Sequence, residues 1–404
     1  MIFLVAKVAG EIFHRLRQPS VIGELLAGVL IGPHVLGLLG TPDPLLVQLF
    51  GDEQSAREAL KAIYDVLAEL GAIVLLFYVG LETRLDEMLV VGLRAAVVGA
   101  LGVAFPFALG IALAAYLGGS TQLALFLGAA MVATSVGITA RVLSDLGVLR
   151  AFEARVILGA AVVDDILGLI VLAIVAGLAS SGGVSGWHIS LVAVEAIAFT
   201  AFVVLVGTRV VRRFSVHLDA LRIRNAPFVV AMVVCLGLAV LASYIGLAAI
   251  IGAFLAGMVF AEAQERQDLV KMAQPVFDLL VPFFFVITGA QVDPGVFLGG
   301  PVAVLALSVT ALAIVGKLVG CGAGAWGLGP RSMGIIAVGM VPRGEVGIIV
   351  ASIGLSLNAI SGEIFSVVVA MSILTTLIAP PILSWFYRAG SYPPPRAENE
   401  HDPE

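Results

Sequence analysis

Residues 154–178 read ARVILGAAVVDDILGLIVLAIVAGL. Beyond Arg155 at one end, the only charges in this stretch are two adjacent carboxylates, in Val162-Val163-Asp164-Asp165-Ile166. A helix needs about 20 apolar residues, at about 1.5 Å each, to cross a hydrocarbon core about 30 Å thick. This segment is long enough. Ionisable groups at that depth are costly and face a bundle interior or a water-filled cavity rather than lipid. The acidic pair therefore predicts other helices around it.

The remaining chain supplies them. Of 404 residues, 60% are hydrophobic and 12% charged, and the mean hydropathy is +1.10. The hydropathy pattern predicts spans at 1–13, 20–38, 62–80, 89–117, 122–141 and 154–178. It continues with 188–211, 226–244, 246–262, 274–291, 300–323, 332–356 and 362–387. Thirteen helices of about 20 residues take about 260 positions, which leaves short loops and no room for a sizeable soluble domain. The fold class is thus an all-α polytopic membrane protein of about 13 transmembrane helices. The first is short, about 20 Å at 1.5 Å per residue, carries Lys7 and Glu11, and is read as a shortened start.

Charge placement predicts orientation. With the N-terminus outside, Arg57 and Lys61 map outside and Lys7, Lys317 and Arg343 fall within spans, which leaves 17 of the 22 Lys and Arg residues at cytoplasmic ends. The densest group is Arg209, Arg212, Arg213, Arg222 and Arg224. Arg15, Arg17, Arg150, Arg155, Arg266, Lys271, Arg331 and Arg388 join it. An excess of basic residues marks the cytoplasmic side, so the C-terminus is expected inside. The net charge of −6 includes an acidic, Pro-rich tail from Ser391, expected to be disordered. No basic run points to nucleic acid. The N-terminus has no basic n-region or cleavage site, so no signal peptide is expected. Cys235 and Cys321 lie in apolar stretches and are read as buried thiols.

Two spans carry helix-interrupting sequence at their middle: Thr134-Ser135-Val136-Gly137 in span 5 and Pro342-Arg343-Gly344-Glu345 in span 12. They lie seven spans apart, so the matching helices run in opposite directions. Interrupted helices at corresponding positions of inverted halves mark the ion site of a secondary transporter. Depth adds a partner for the acidic pair. Asp164 and Asp165 fall roughly 3–5 Å to the cytoplasmic side of the midpoint of span 6, and Lys317 about 7 Å to that side in span 11. An Asp164–Lys317 ion pair is compatible with those depths, although depth says nothing of azimuth. One lysine cannot neutralise two aspartates, and the surplus carboxylate calls for a proton or a cation. Thr134 and Ser135 offer hydroxyl oxygens, and an interrupted helix frees carbonyls, ligands that suit a hard monovalent cation. Arg343 and Glu345 are expected to satisfy each other and the broken backbone. Glu69 and Glu195 lie in the outer halves of their spans. No histidine is mid-membrane; His14 and His217 fall on the cytoplasmic side.

Five segments, in order, resemble the monovalent cation:proton antiporter superfamily, most closely its NapA-type bacterial sodium/proton antiporters. They are Gln18 to Glu24 (QPSVIGE), Val79 to Thr83 (VGLET), Ala133 to Arg141 (ATSVGITAR), Val162 to Gly168 (VVDDILG) and Met340 to Gly347 (MVPRGEVG). The resemblance covers essentially the whole chain. It implies an inverted-repeat fold with two crossing broken helices and a homodimer. Residues 1–88 and 225–297 would form a dimerisation domain, 89–180 and 298–388 an ion-carrying core, 181–224 a linking helix and 389–404 a cytoplasmic tail. It also implies that Asp165 carries sodium and protons, that Asp164 pairs with Lys317, and that Thr134 and Ser135 belong to the cation site with the two aspartates. The core would move as a rigid body, an elevator form of alternating access. The chain lacks the nucleotide-binding domain of the related glutathione-gated potassium efflux systems and has two aspartates where they have one carboxylate, which argues against that branch.

The expectation is a sodium/proton antiporter of a bacterial cytoplasmic membrane, electrogenic, with no cofactor beyond the transported cation and no enzymatic activity. A potassium/proton antiporter on the same scaffold is the alternative, since cavity size separates the two cations and is not legible here. An ion channel would need a filter of backbone carbonyls. An intramembrane aspartyl protease would need its two aspartates on facing helices.

Overall fold

The computed structural model describes residues 1–16, 18–42, 44–179, 186–211, 225–262, 266–298 and 300–388. Arg17, Arg212, Arg213, His217, Arg222, Arg224 and the tail from Ser391 therefore lie outside the described residues. Within them the chain is helical and contains no strand. In order the helices are α1 (Ile2–Arg15), α2 (Ser20–Ile31), α3 (Pro44–Phe50), α4 (Glu53–Leu81), α5 (Leu85–Tyr116), α6 (Thr121–Val132), α7 (Val136–Asp145) and α8 (Phe152–Ala179). They continue with α9 (Gly186–Phe202), α10 (Ala226–Tyr244), α11 (Ala249–Phe260), α12 (Arg266–Ala290), α13 (Gly300–Gly324), α14 (Pro330–Gly339), α15 (Glu345–Ser356) and α16 (Gly362–Arg388). A π-helical turn, Val203–Gly207, continues α9.

Nine helical segments among the described residues are long and apolar enough to cross a membrane. The other four expected spans are shorter or interrupted: α1, α2, α11 and the broken pair α14–α15. Large apolar side chains such as Val90, Leu93, Val233 and Val240 project outward from the bundle. Such a surface suits hydrocarbon as its solvent.

Several boundaries differ from hydropathy. Span 2, expected to reach residue 38, ends as a helix at Ile31, where Gly32 is extended and Pro33 follows; a proline disfavours helical backbone at the residue before it. Span 3 starts at Glu53 rather than 62, because Asp52 caps it. Its carboxylate accepts from the Ser55 amide (2.8 Å) and hydroxyl (2.7 Å), satisfying donors that a helix start leaves open. An Arg57–Glu53 ion pair one turn apart supports those polar first turns. The breaks are also shifted. Val136 and Gly137 already belong to α7, and Glu345 is the first residue of α15.

Packing gathers the helices into two groups. Helices α1, α2, α4, α10, α11 and α12 contact one another, and α5, α6, α8, α13, α14, α15 and α16 do likewise. Close approach within each group uses glycine. In the first, a Cβ on Gly80 of α4 would overlap the Phe254 carbonyl of α11, and one on Gly257 the Phe77 carbonyl. In the second, a Cβ on Gly324 of α13 would lie 2.7 Å from the Val98 Cα of α5. The short helix α7 packs on both sides of the divide, against α2 and α4 of one group and α8 and α16 of the other.

Candidate functional site at the helix crossing

At the centre of the bundle two helices lose their hydrogen bonding at the same level. Helix α6 ends at Val132 and α7 begins at Val136; α14 ends at Gly339 and α15 begins at Glu345. The extended segments touch, since the Ser135 amide donates to the Pro342 carbonyl at 2.8 Å. Gly344 permits this approach: a Cβ there would lie 2.7 Å from both Cβ and Oγ of Ser135.

Each break exposes a helix C-terminus carrying about half a negative charge and an N-terminus carrying about half a positive one. In a dry interior each requires a partner. Arg343, fully buried, takes the α6 end: its Nη1 donates to the carbonyls of Val132 (2.5 Å) and Ala133 (2.9 Å), and its Nη2 to Ala313 (3.3 Å). The backbone of Arg343 is itself fixed by α16, whose Thr375 hydroxyl accepts from its amide (3.2 Å) and whose Thr376 hydroxyl donates to its carbonyl (2.6 Å). The α14 end is met from α7, where the Thr139 hydroxyl donates to the Gly339 carbonyl at 2.7 Å. The Thr134 hydroxyl points at the Met340 carbonyl from 3.5 Å.

The acidic pair meets this crossing from α8. Asp164, 1% exposed, has both oxygens engaged: Oδ1 with Lys317 Nζ at 2.5 Å, and Oδ2 with the Thr134 amide at 3.1 Å. Lys317, on α13, has no exposed surface. It fits because α5 presents Gly102 to it, where a Cβ would come 3.5 Å from Nζ and 2.7 Å from the Cys321 sulfur. Asp165 is half-buried at the next position of α8. Neighbours on a helix point about 100° apart, so it addresses other surroundings than Asp164 does. The Ser135 hydroxyl is buried and makes no hydrogen bond among the described residues.

The structure thus joins Asp164, Lys317 and Thr134 into one cluster and Ser135, Pro342 and Gly344 into a second at the same crossing. Arg343 serves the broken backbone, as expected of it; the side chain of Glu345 lies outside the description. Sequence reasoning missed Thr139, Thr375 and Thr376. All three are hydroxyls in apolar helices, and a census of polar residues per span would have flagged the SILTTL run at 372–377. It also missed a cluster at one end of the cleft, formed by Ser20, Glu24, Arg141 and Asp145. A small cavity of about 40 Å³ enters the cleft farther along α2, bordered by Leu25, Gln291, Arg343, Gly344, Ser372 and Thr376. The Ser372 hydroxyl there is buried and makes no hydrogen bond among the described residues.

Chemically, such a site balances the dipoles of two broken helices with fixed groups, neutralises one carboxylate with a lysine, and adds a second carboxylate.

Comparison with known proteins agrees in fold and in kind. A family model described as sodium/hydrogen exchanger, transmembrane, matches residues 1–389. The chain is 38% identical over 405 residues to the high-affinity Na+/H+ antiporter NhaS3 of Synechocystis, covering 95% of this chain and 87% of that protein. It is 35% identical over 393 residues to the Na+/H+-K+ antiporter GerN of Bacillus cereus, covering 96% and 95%. Among solved structures, the sodium proton antiporter MjNhaP1 of Methanocaldococcus jannaschii at pH 8 shares the fold with a TM-score of 0.64. The two are 18% identical, over 96% of this chain and 95% of that one.

Proposed function

We propose that this chain, which belongs to the sodium/hydrogen exchanger family, exchanges sodium for protons across a bacterial cytoplasmic membrane. The observation that carries the reading is the division of labour in the acidic pair. Asp164 is held by Lys317 and the Thr134 amide, and the cation and the proton compete for Asp165, half-buried beside it on α8. The hydroxyl of Ser135, buried and without a hydrogen-bond partner among the described residues, supplies an oxygen ligand, with Thr134 and Asp164 completing the surroundings. The relatives named as Na+/H+ antiporters support the choice of cation.

The finer features are part of the same proposal. Helices α5–α8 and α13–α16 carry the ion and move as one body against α1–α4 and α10–α12, which form the surface joining two copies. The N-terminus lies outside and the C-terminus inside. Lys317 provides a second proton-binding group, so the cycle carries two protons per sodium and moves net charge. A potassium/proton exchange on the same scaffold is the second reading, favoured by the potassium in the name of GerN.

The test is a proteoliposome assay with an imposed acid-inside pH gradient and a quenched dye. Sodium, lithium and potassium are added outside in turn. Dequenching by sodium or lithium in the wild type, absent in Asp165→Asn, is the expected result. A response to potassium alone selects the second reading, and full activity in Asp165→Asn overturns the assignment of the carrier.

A further inference from the structure

We infer that Arg141 is a gating residue: it forms, with Glu24, Ser20, Asp145 and Phe277, an ionic latch that pins the carrier to the scaffold at one end of the cleft and must part in each transport cycle. The inference rests on the exchange cycle proposed above, in which the two helix groups move past each other.

Arg141 belongs to α7, the half-helix that follows the first break and packs against both groups. It is buried, at 7% exposure, yet its partners come from three helices. On its own helix, Nε lies 2.9 Å from Asp145 Oδ1. Across the divide on α2, Nη2 lies 3.3 Å from the Ser20 hydroxyl and 3.7 Å from Glu24 Oε1. On α12, its guanidinium carbon stands 4.8 Å from the Phe277 ring centre, a cation–π distance. Tyr78 of α4 packs on that ring at 4.7 Å. A second strut runs alongside, the Ser20 hydroxyl donating to Asp145 Oδ2 at 2.6 Å. The turn after α7 holds Asp145 in place, because Gly147 takes a left-handed backbone (φ 67°) and its amide closes on the Ser144 carbonyl.

Three features mark this cluster as a latch rather than a static brace. All of its cross-group contacts lie within 5 Å, less than the rise of one helix turn, about 5.4 Å, so a slide of that size breaks them together. The Arg141–Glu24 contact is loose: at 3.7 Å it is an ion pair without a hydrogen bond, and the other oxygen of Glu24, buried, has no hydrogen-bond partner among the described residues. A fully hydrogen-bonded buried pair would resist parting. Lastly, the cavity bordered by Arg343 and Ser372 opens between the same two groups farther along α2, from Leu25 onward. The latch thus stands at the edge of a small cavity of about 40 Å³ that reaches Arg343 and Gly344 at the crossing.

The test bridges the latch reversibly. Cysteines replace Ser20 and Asp145, and a short bifunctional methanethiosulfonate links them in proteoliposomes; the wild type, whose own cysteines are buried, receives the same reagent. The expected result is loss of sodium-driven proton exchange on bridging, full recovery with reductant, and no change in the wild type. Glu24→Gln, which weakens the cross-group pair, should speed exchange at unchanged half-saturating sodium, a split that a bracing role would not produce. Exchange that continues in fully bridged protein at its reduced rate overturns the latch and leaves the antiport reading standing. Failure of the wild type and the reduced variant to exchange any monovalent cation overturns the antiport reading, and the latch with it.

Discussion

Asp164 and Lys317 show why a buried ion pair must be judged by what its removal leaves behind. Both are essentially without exposed surface, 2.5 Å apart, and the second carboxylate oxygen is held by the Thr134 amide. Lys317→Met should strand a buried carboxylate and cost about 3–5 kcal/mol. The double variant Asp164→Leu with Lys317→Met should cost less than that single one, since replacing both partners by apolar groups removes the desolvation problem. Chemical or thermal unfolding in detergent measures both; a double variant worse than the single one contradicts the pairing. Ser135 predicts the opposite balance. Its buried hydroxyl has no hydrogen-bond partner among the described residues, so Ser135→Ala should leave stability within about 0.5 kcal/mol while raising the sodium concentration for half-maximal exchange. Unchanged sodium dependence would remove Ser135 from the cation's surroundings. The Asp164–Lys317 pair was legible in the sequence, because charge in a 25-residue apolar run has few innocent explanations. The Arg343 contacts were not. Its acceptors lie 211, 210 and 30 residues away in sequence, and no local pattern encodes which carbonyls a crossing helix will present. Glu24 and Arg141 escaped for another reason: each stands near the end of an expected span, where a charge ordinarily reads as solvated.

Helices pack here by glycine contact as well as by apolar side chains, and substitution separates the two. At the α4–α11 crossing a methyl on Gly80 or Gly257 would run into backbone carbonyls, which cannot rotate away. Gly80→Ala and Gly257→Ala should each cost about 1–3 kcal/mol by overpacking. Gly237, in α10, has nothing within 4 Å of its would-be Cβ, so Gly237→Ala should be neutral or stabilising by up to about 1 kcal/mol through helix propensity. Unfolding of the three variants side by side checks the contrast. The start of α4 makes a further, pH-linked prediction. Asp52 is held below the usual carboxylate range by the Ser55 amide first and the Ser55 hydroxyl second. A carboxyl whose folded value is depressed stabilises above its unfolded value and loses that contribution as pH falls through the folded one. Amide exchange in the first turn of α4 should therefore accelerate on acidification below the ordinary aspartate range, and in Asp52→Ala the turn should be open at neutral pH as well. Hydropathy placed this helix nine residues late for the same physical reason. Glu53, Arg57, Glu58 and Lys61 make its first turns polar, and an apolar window cannot see a helix that a cap and an ion pair sustain.

Across the whole molecule, charge and symmetry together constrain the transport cycle. Arg343 answers the C-terminal dipole of α6, Lys317 answers Asp164, and Asp165 is the half-buried carboxylate next to Asp164 on α8. If only Asp165 traded its proton for sodium, the loaded and returning carriers would bear equal charge and voltage would not act on the cycle. In the proposed cycle Lys317 also releases its proton when sodium enters, so that two protons return for each cation and one net charge moves. A potential of 100 mV then supplies about 2.3 kcal/mol per cycle, the equivalent of roughly a 50-fold sodium gradient at about 1.4 kcal/mol per factor of ten. Proteoliposomes with equal sodium and equal pH on both sides should accordingly begin to exchange when a potassium diffusion potential is applied through valinomycin, and the direction should reverse with its sign. Lys317→Met that still exchanges should lose this response while keeping its response to a pH gradient. A wild type indifferent to voltage would assign one proton per sodium, and Lys317 would then be a fixed counter-charge to Asp164 through the whole cycle.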